Sequence, residues 1–162
     1  MDAVAYFVKQ DKLNKVGIEG YILFQQLNPK DYTTVSINLH GLKPNSTHAI
    51  HIHEFGDFSN GCMSAGGHYN PFGKKHGSYL YHGNERHAGD LINNMTSDSQ
   101  GKVQIFFKDN LVSLYPPYSI VGRSVIIHEG QDDLGLGGNE QSLITGNAGG
   151  RMACAIIKSQ VI

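Results

Sequence analysis

The 162-residue sequence contains no tryptophan, only two cysteines and no excess of positive charge. Its formal net charge of -1 argues against a nucleic-acid-binding surface. No apolar run is long enough to span a bilayer, so no membrane partner is expected. Met1–Lys9 lacks the charged-then-apolar pattern of a secretory signal, and we therefore expect a cytoplasmic location. In that reducing compartment, two distant cysteines such as Cys62 and Cys154 are usually free thiols.

Glycine and histidine are abundant instead, with 20 and nine residues. Many glycines together with Val, Ile, Thr and Tyr are typical of an all-β protein with many turns. The stretches Glu54–His87 and Glu129–Gly150 are rich in glycine, and loops of that length usually carry function. Strands are predicted at Val4–Lys9, Gly17–Gln26, Tyr32–Leu39, His48–His53, Lys102–Lys108, Arg123–Glu129 and Met152–Ile157.

Two neighbouring histidines form a first candidate metal-binding pattern. His51 and His53 lie two apart in a predicted strand, and such residues point to the same face. The two imidazoles would lie side by side on a rigid element, which suits two ligands of one metal ion. The pattern alone leaves an alternative open, because surface or hydrogen-bonded histidines also occur at this spacing.

A second set of candidate ligands lies within one loop and supplies three imidazoles and one carboxylate. These groups suit the four tetrahedral positions of Zn²⁺. The alternative is a polar loop whose histidines serve other purposes. The set is His68, His76, His87 and Asp90.

His128 ends the apolar run Val125–Ile127, so the core beneath it fixes its position. Taken alone, it is typical of a structural histidine. With His51, His53 and one further imidazole it would complete four nitrogen ligands, a set that suits Cu²⁺. The remaining loop ligands would then form a mixed nitrogen and oxygen site for zinc.

The sequence closely resembles the Cu,Zn superoxide dismutase family over nearly its whole length. The resemblance implies an all-β fold: a Greek-key β-sandwich, or flattened eight-stranded barrel, with a metal-binding loop and an electrostatic loop. We expect one such domain over residues 1–162. The segments that carry the resemblance are His51–Asp57, Gly61–Pro71, Arg86–Leu91 and Gly146–Cys154.

By this resemblance, each subunit would bind one copper and one zinc ion, bridged by His68. The implied copper ligands are His51, His53, His68 and His128. The implied zinc ligands are His68, His76, His87 and Asp90. Asp132 would accept hydrogen bonds from the outer nitrogens of His51 and His76 and so join the two sites.

Two further features follow from the resemblance. Cys62 and Cys154 would form a disulfide that ties the metal-bearing loop to the last strand. Arg151, which is permanently charged, would hold the superoxide anion near copper. Asp133, next to Asp132, is expected to be a solvated loop residue.

The implied activity is the disproportionation of superoxide to oxygen and hydrogen peroxide, in antioxidant defence. Copper would cycle between two oxidation states, and His68, supported by zinc, would carry a proton. One alternative is a copper/zinc carrier or chaperone-like domain without turnover, which typically lacks part of the ligand set or Arg151. Another is a zinc hydrolase, which needs an open zinc position and a general base.

The expected partners are superoxide, a second copy of the chain in a homodimer, and a copper chaperone. The segments Phe55–Asp57, Ile120–Arg123 and Ile156–Ile157 match the family's dimer contact. A two-fold dimer is also the commonest closed assembly.

The sequence departs from the family pattern in two loops. Glu129–Thr145 contains acids but no Lys or Arg, whereas relatives commonly carry lysines there. Electrostatic steering of superoxide is therefore expected to be weaker. The zinc-loop segment His76–His87 is slightly longer than usual and contains His82, which we interpret as a bystander.

Overall fold

A computed structural model describes residues 1–160 of the chain, which form nine β-strands and three short 3-10 helices. The strands are β1 (Asp2–Phe7), β2 (Glu19–Gln25), β3 (Thr33–His40), β4 (Thr47–His53), β5 (Ser59–Cys62), β6 (Asn94–Thr96), β7 (Val103–Asp109), β8 (Ser124–His128) and β9 (Arg151–Gln160). The 3-10 helices are Met63–Ala65, Ala88–Asp90 and Gln141–Leu143. No helix within residues 1–160 is long and apolar enough to cross a membrane.

Eight strands form one antiparallel sheet in the order β6-β4-β8-β9-β1-β2-β3-β7. The connections from β3 to β4 and from β7 to β8 cross the sheet, as in a Greek key. Strands β6 and β7 lie at opposite edges although they are consecutive in the chain. The short connection between them requires the sheet to curl into a nearly closed barrel. The predicted all-β architecture is thereby confirmed.

Strand β4 presents two different faces. Ile50 and Ile52 are fully buried in the main apolar core. Because side chains alternate along a strand, His51 and His53 point to the opposite face. Both histidines are nevertheless buried, since the chain after β4 folds back over that face and His68 forms an isolated β-bridge with His53. The fold therefore places these histidines in a buried layer outside the barrel.

A disulfide joins Cys62 to Cys154, with 5.8 Å between their Cα atoms. Cys154 lies on β9, so the bond fixes the loop after β4 to the sheet. Ala65 and Ile126 pack beside the two cysteines in a second small apolar cluster. The disulfide implied by the family resemblance is confirmed, and the free thiols that composition alone favoured are not found.

All seven predicted strands are present, with their ends shifted by a few residues. Strands β5 and β6, which span four and three residues, are not predicted from the sequence. Such short strands show too few alternating positions for a period to be recognised.

Candidate metal centre

Four side chains from the loop after β4 converge on one point. The Nδ1 atoms of His68 and His76 each lie 2.9 Å from Asp90 Oδ1, and His87 Nδ1 lies 3.2 Å from the same oxygen. His68 Nδ1 and His87 Nδ1 are 3.2 Å apart. A tetrahedron of ligands around Zn²⁺ with bonds of about 2.0 Å has edges of about 3.3 Å, so this spacing fits zinc.

The Asp90 carboxylate is held by the backbone around it. Its second oxygen, Oδ2, accepts hydrogen bonds from His87 N at 2.9 Å and Gly77 N at 3.1 Å. Burial raises the pKa of Asp90, but hydrogen bonds from His68, His76 and His87 outweigh burial and hold that pKa well below its ordinary value. Asp90 is therefore an ionised ligand with a fixed orientation.

Three further histidines on β4 and β8 each have one ring nitrogen engaged by a hydrogen-bond acceptor. An acceptor at one nitrogen fixes the N–H there and leaves the other nitrogen with a free lone pair. The pairs are His51 Nε2 with Asp132 Oδ2 at 2.6 Å, His53 Nδ1 with Gly66 O at 2.9 Å, and His128 Nδ1 with Gly149 O at 3.2 Å.

The remaining nitrogens of these strand histidines face one another. His53 Nε2 and His128 Nε2 are 3.3 Å apart. His51 Nδ1 is the one buried side-chain nitrogen or oxygen within residues 1–160 that lacks a hydrogen-bond partner. With His68 they form a group whose candidate ligand atoms all lie within 4.8 Å of one another. An all-nitrogen group with an unpaired buried lone pair fits copper.

His68 belongs to both groups. Its Nδ1 lies in the Asp90 group, so its Nε2 is the nitrogen left for the strand histidines. The His68 ring stacks on that of His51 with 3.9 Å between centroids. Burial lowers the pKa of His68. Burial is also the main cause that lowers the pKa of His51 and His53, and the nearby His68 ring is the second cause. Burial also lowers the pKa of His128 to about 4. These rings are therefore neutral near pH 7, as metal ligands must be.

Asp132 links the two groups through its two carboxylate oxygens. Oδ2 accepts from His51 as above, and Oδ1 accepts from His76 Nε2 at 2.8 Å. Burial raises the pKa of Asp132, but the bonds from His51 and His76 outweigh burial and lower it. Burial lowers the pKa of His76, yet its bonds to Asp132 and Asp90 raise it to about 9. Gly146 leaves room for this pair, because a Cβ there would lie 2.5 Å from Asp132 Oδ1.

Comparison with known proteins identifies the family. A family model described as copper/zinc superoxide dismutase matches residues 18–157. The chain belongs to the copper/zinc superoxide dismutase family. Proteins named superoxide dismutase [Cu-Zn] from Candida glabrata and Saccharomyces cerevisiae are each 50% identical over 141 residues, covering 87% of this chain and 90% of theirs. The crystal structure of the clock protein EA4 matches with a TM-score of 0.85 and 38% identity, over 97% of this chain and 93% of that one.

A cavity of about 620 Å³ opens onto the copper/zinc centre of this family member. His53, His68 and His128 line it together with Arg151. Arg151 is half-buried and donates from Nη1 to Cys62 O at 2.8 Å. Burial lowers the pKa of Arg151, but a guanidinium stays charged at any physiological pH. The Arg151 side chain therefore places a fixed positive charge at the cavity wall, beside the histidine group.

The wall of the cavity opposite the strands comes from the loop 129–150 and includes Ile144 and Asn147. Asp133, expected to be solvated, instead organises this loop. Its carboxylate accepts from Ser142 Oγ at 2.8 Å and from Asn147 Nδ2 at 2.8 Å. Hydrogen bonds thus hold this loop in place as a wall of the cavity, and the loop contains no Lys or Arg.

Three other histidines lie outside both ligand groups. His82 Nδ1 accepts from Ser78 N at 2.8 Å, so this nitrogen is used to brace its own loop. The ring of His48 makes a hydrogen bond with His128 O at 3.0 Å, a structural contact outside the ligand groups. His40 is exposed at the end of β3.

Two asparagines, Asn93 and Asn94, contact Asp132 in a way that the sequence does not predict. Asn94 accepts from Asp132 N at 2.8 Å and donates to Asp132 O at 3.0 Å, so it clamps the backbone of that residue. Asn93 donates to Asp132 Oδ2 at 3.2 Å. Their spacing along the chain from Asp132 gives no pattern from which this contact could be predicted.

Proposed function

We propose that the chain acts as a superoxide dismutase, converting superoxide to oxygen and hydrogen peroxide. The observation that carries the proposal is the pair of ligand groups sharing His68 at the base of a cavity that also contains Arg151. In this proposal copper is held by His51, His53, His68 and His128, and zinc by His68, His76, His87 and Asp90. Bound copper supplies the one-electron redox change, and zinc holds His68 without changing oxidation state.

The residues of the chain supply orientation, attraction and protons. The Arg151 guanidinium attracts and orients the anion at the cavity wall. Reduction of superoxide to hydrogen peroxide consumes two protons, and His68 Nε2 can hold one of them. His68 keeps its position while it does so, because its Nδ1 stays among Asp90 and His87.

Asp132 has a supporting role in this proposal. It keeps the Nε2 protons of His51 and His76 on the outer side of both rings, at 2.6 and 2.8 Å. The inner Nδ1 atom of His51 then has a free lone pair, and that of His76 gains one when a bound ion displaces its second proton. Such outer partners typically change metal affinity by about 10- to 100-fold when removed.

Two other functions fit the structure less well. A carrier without turnover would not need Arg151 at the cavity wall. A zinc hydrolase would need an open ligand position, but the Asp90 group already offers four donors, with three histidine nitrogens within 3.2 Å of Asp90 Oδ1.

The test is metal analysis and a superoxide-consumption assay on protein loaded with copper and zinc. We expect rapid consumption by the wild type and a severe loss in His128→Ala, which removes a proposed copper ligand but no zinc ligand. Arg151→Ala should retain both ions and consume superoxide more slowly. Full loading with both ions but no turnover would instead support a carrier.

We further propose that the chain is a single domain and forms a homodimer. Support comes from the proximity of the three segments expected at the dimer contact: Gly122 N donates to Ile157 O at 2.8 Å, and Arg123 Nη1 donates at 2.8 Å to the carbonyl of Glu54, directly before Phe55. Phe55 itself is half exposed. Sedimentation velocity should give a dimer that Phe55→Glu converts to monomer.

The cytoplasmic location and delivery by a copper chaperone remain predictions. Subcellular fractionation with immunoblotting tests the first. Copper content in cells that lack candidate copper-transfer proteins tests the second.

A further inference from the structure

Asn93 is buried next to the metal centre, and its side-chain amide makes three hydrogen bonds. It is 1% exposed and lies just before β6. Its Nδ2 donates to Gly77 O at 2.8 Å and to Asp132 Oδ2 at 3.2 Å. Its Oδ1 accepts from Tyr79 N at 2.8 Å. One amide therefore contacts two segments that are far apart in the sequence.

The first of these segments is part of the zinc loop. Gly77 follows the proposed zinc ligand His76, and Gly77 N also donates to Asp90 Oδ2. Tyr79 anchors the same segment to the barrel, because its hydroxyl donates to Lys108 O at 2.6 Å. The amide of Asn93 thus holds the backbone directly after a zinc ligand.

The second contact of Asn93 is with the Asp132 oxygen that orients His51, a proposed copper ligand. Asp132 Oδ2 is also the acceptor for His51 Nε2. Asp132 Oδ1 has a second donor besides His76, because Leu134 N donates to it at 2.7 Å, whereas within residues 1–160 the only donors to Oδ2 are His51 and Asn93. Asn94 fixes only the backbone of Asp132. The Asn93 amide is a further donor that resists rotation of the carboxylate itself.

We propose that Asn93 is a positioning residue that couples the zinc loop to the orientation of His51 through Asp132. The proposal rests on the proposed function only for the identity of the ions. When Asn93 is removed, Asp132 should turn more freely, and the His51 and His76 N–H protons should become less protected. The zinc loop should lose its tie to the carboxylate at the same time.

The backbone of Asn93 makes a clean deletion possible. Its φ is +66°, a conformation that glycine adopts without strain and alanine does not. Asn93→Gly therefore removes the amide with little backbone cost. Asn93→Asp keeps the shape but replaces the two N–H donors with a second carboxylate beside Asp132. Asn45→Gly is a matched control, because Asn45 has φ +52°, is exposed and makes no side-chain hydrogen bond within residues 1–160.

The experiment uses zinc-loaded, copper-free protein and needs no turnover, so its outcome is independent of whether the chain consumes superoxide. NMR measures solvent exchange of the Nε2 protons of His51 and His76, with the ring N–H of His48 as an internal reference. Chelator competition measures zinc affinity. In Asn93→Gly and Asn93→Asp we expect exchange at His51 to accelerate, and zinc affinity to fall, by about tenfold. Asn45→Gly should match the wild type in both.

Two results would overturn the proposal. One is exchange at His51 within about twofold of wild type in both Asn93 variants, because another contact then holds the carboxylate. The other is equal acceleration at His51 and His48, which would show general loosening rather than control of Asp132. If Asn93→Gly does not fold, Asn93→Asp alone decides between these results.

Discussion

Each strand histidine of the metal centre has one nitrogen bonded to a fixed acceptor and one directed inward. Two of the three acceptors are backbone carbonyls, those of Gly66 and Gly149. The identity of the loop residues at these two points therefore matters less than the path of the chain. This arrangement explains how glycine-rich loops can define ligand geometry.

At the residue scale, the sequence predicts ligands but not their partners. The period of a strand places His51 and His53 on one face without any structure. Asn93 cannot be predicted in this way, since its contacts depend on a left-handed backbone and on loops that meet only in the folded chain. The bracing role of Asp133 cannot be predicted either, because its bonds with Ser142 and Asn147 exist only once the loop 129–150 folds back on itself.

Replacing His82 and His87 by alanine, one at a time, should have different effects on zinc retention. His87 contributes Nδ1 to the Asp90 group, whereas His82 Nδ1 bonds to its own loop. We expect His87→Ala to lose most of its zinc and His82→Ala to retain it, as measured by metal analysis after dialysis. Zinc loss from His82→Ala comparable to that from His87→Ala would show that His82 competes for the ion.

At the scale of elements, two cross-links hold the long loop after β4 against the barrel. One is the disulfide from Cys62 to Cys154, and the other is the buried ion pair of Arg86 with Asp109 at 3.0 Å. The sequence indicated the disulfide only through the family resemblance. It gave no signal for the ion pair, because nothing in the spacing of Arg86 and Asp109 shows that they meet.

The double variant Cys62→Ser/Cys154→Ser should be substantially less stable. A bond that closes 92 residues of chain stabilises the fold by about 4 to 5 kcal/mol in the chain-entropy account. Urea unfolding of the metal-free protein measures the difference, with reduced wild type as the control. A loss below about 1 kcal/mol would mean that the unfolded chain gains little freedom when the bond is absent.

Arg86→Leu should destabilise the chain more than an exposed substitution does. It leaves the buried Asp109 carboxylate with only the amides of Leu111 and Val112 as donors. Breaking a buried ion pair on one side typically costs about 3 to 5 kcal/mol. Thermal and urea unfolding measure the loss, and Lys74→Leu, which breaks an exposed pair with Glu85, is the control. Equal effects in both variants would contradict a special role for the buried pair.

At the scale of the whole molecule, charge is nearly balanced and the loop that walls the cavity has no cation. The net charge is -1, and Glu129–Thr145 contains no Lys or Arg. Ile144 of this loop lines the cavity. Long-range attraction of an anion then depends mainly on Arg151 and the bound ions.

The rate of superoxide consumption should therefore depend weakly on salt. We expect less than about a threefold fall between about 10 and 200 mM salt, measured by pulse radiolysis. Ile144→Lys should be faster at low salt and more salt-sensitive than wild type. A steep fall in the wild type would show that lysines elsewhere on the surface provide the steering.

The overall architecture can be predicted better than any finer feature, because hydrophobic alternation and the number of strands do not depend on where each strand begins or ends to within a few residues. Closure of the barrel was implied by the family resemblance rather than by the strand pattern. It follows from the short connection between β6 and β7, which lie at opposite edges of the sheet, and β6 is too short to be recognised from sequence.

The division of ligands between strands and loop has a consequence for how substitutions should act on the two ions. His51, His53 and His128 take their places when the sheet forms, whereas the Asp90 group depends on a loop that the disulfide and the ion pair of Arg86 with Asp109 hold against the barrel. Loss of either cross-link should therefore disturb the zinc ligands first and leave the strand histidines in register on the sheet.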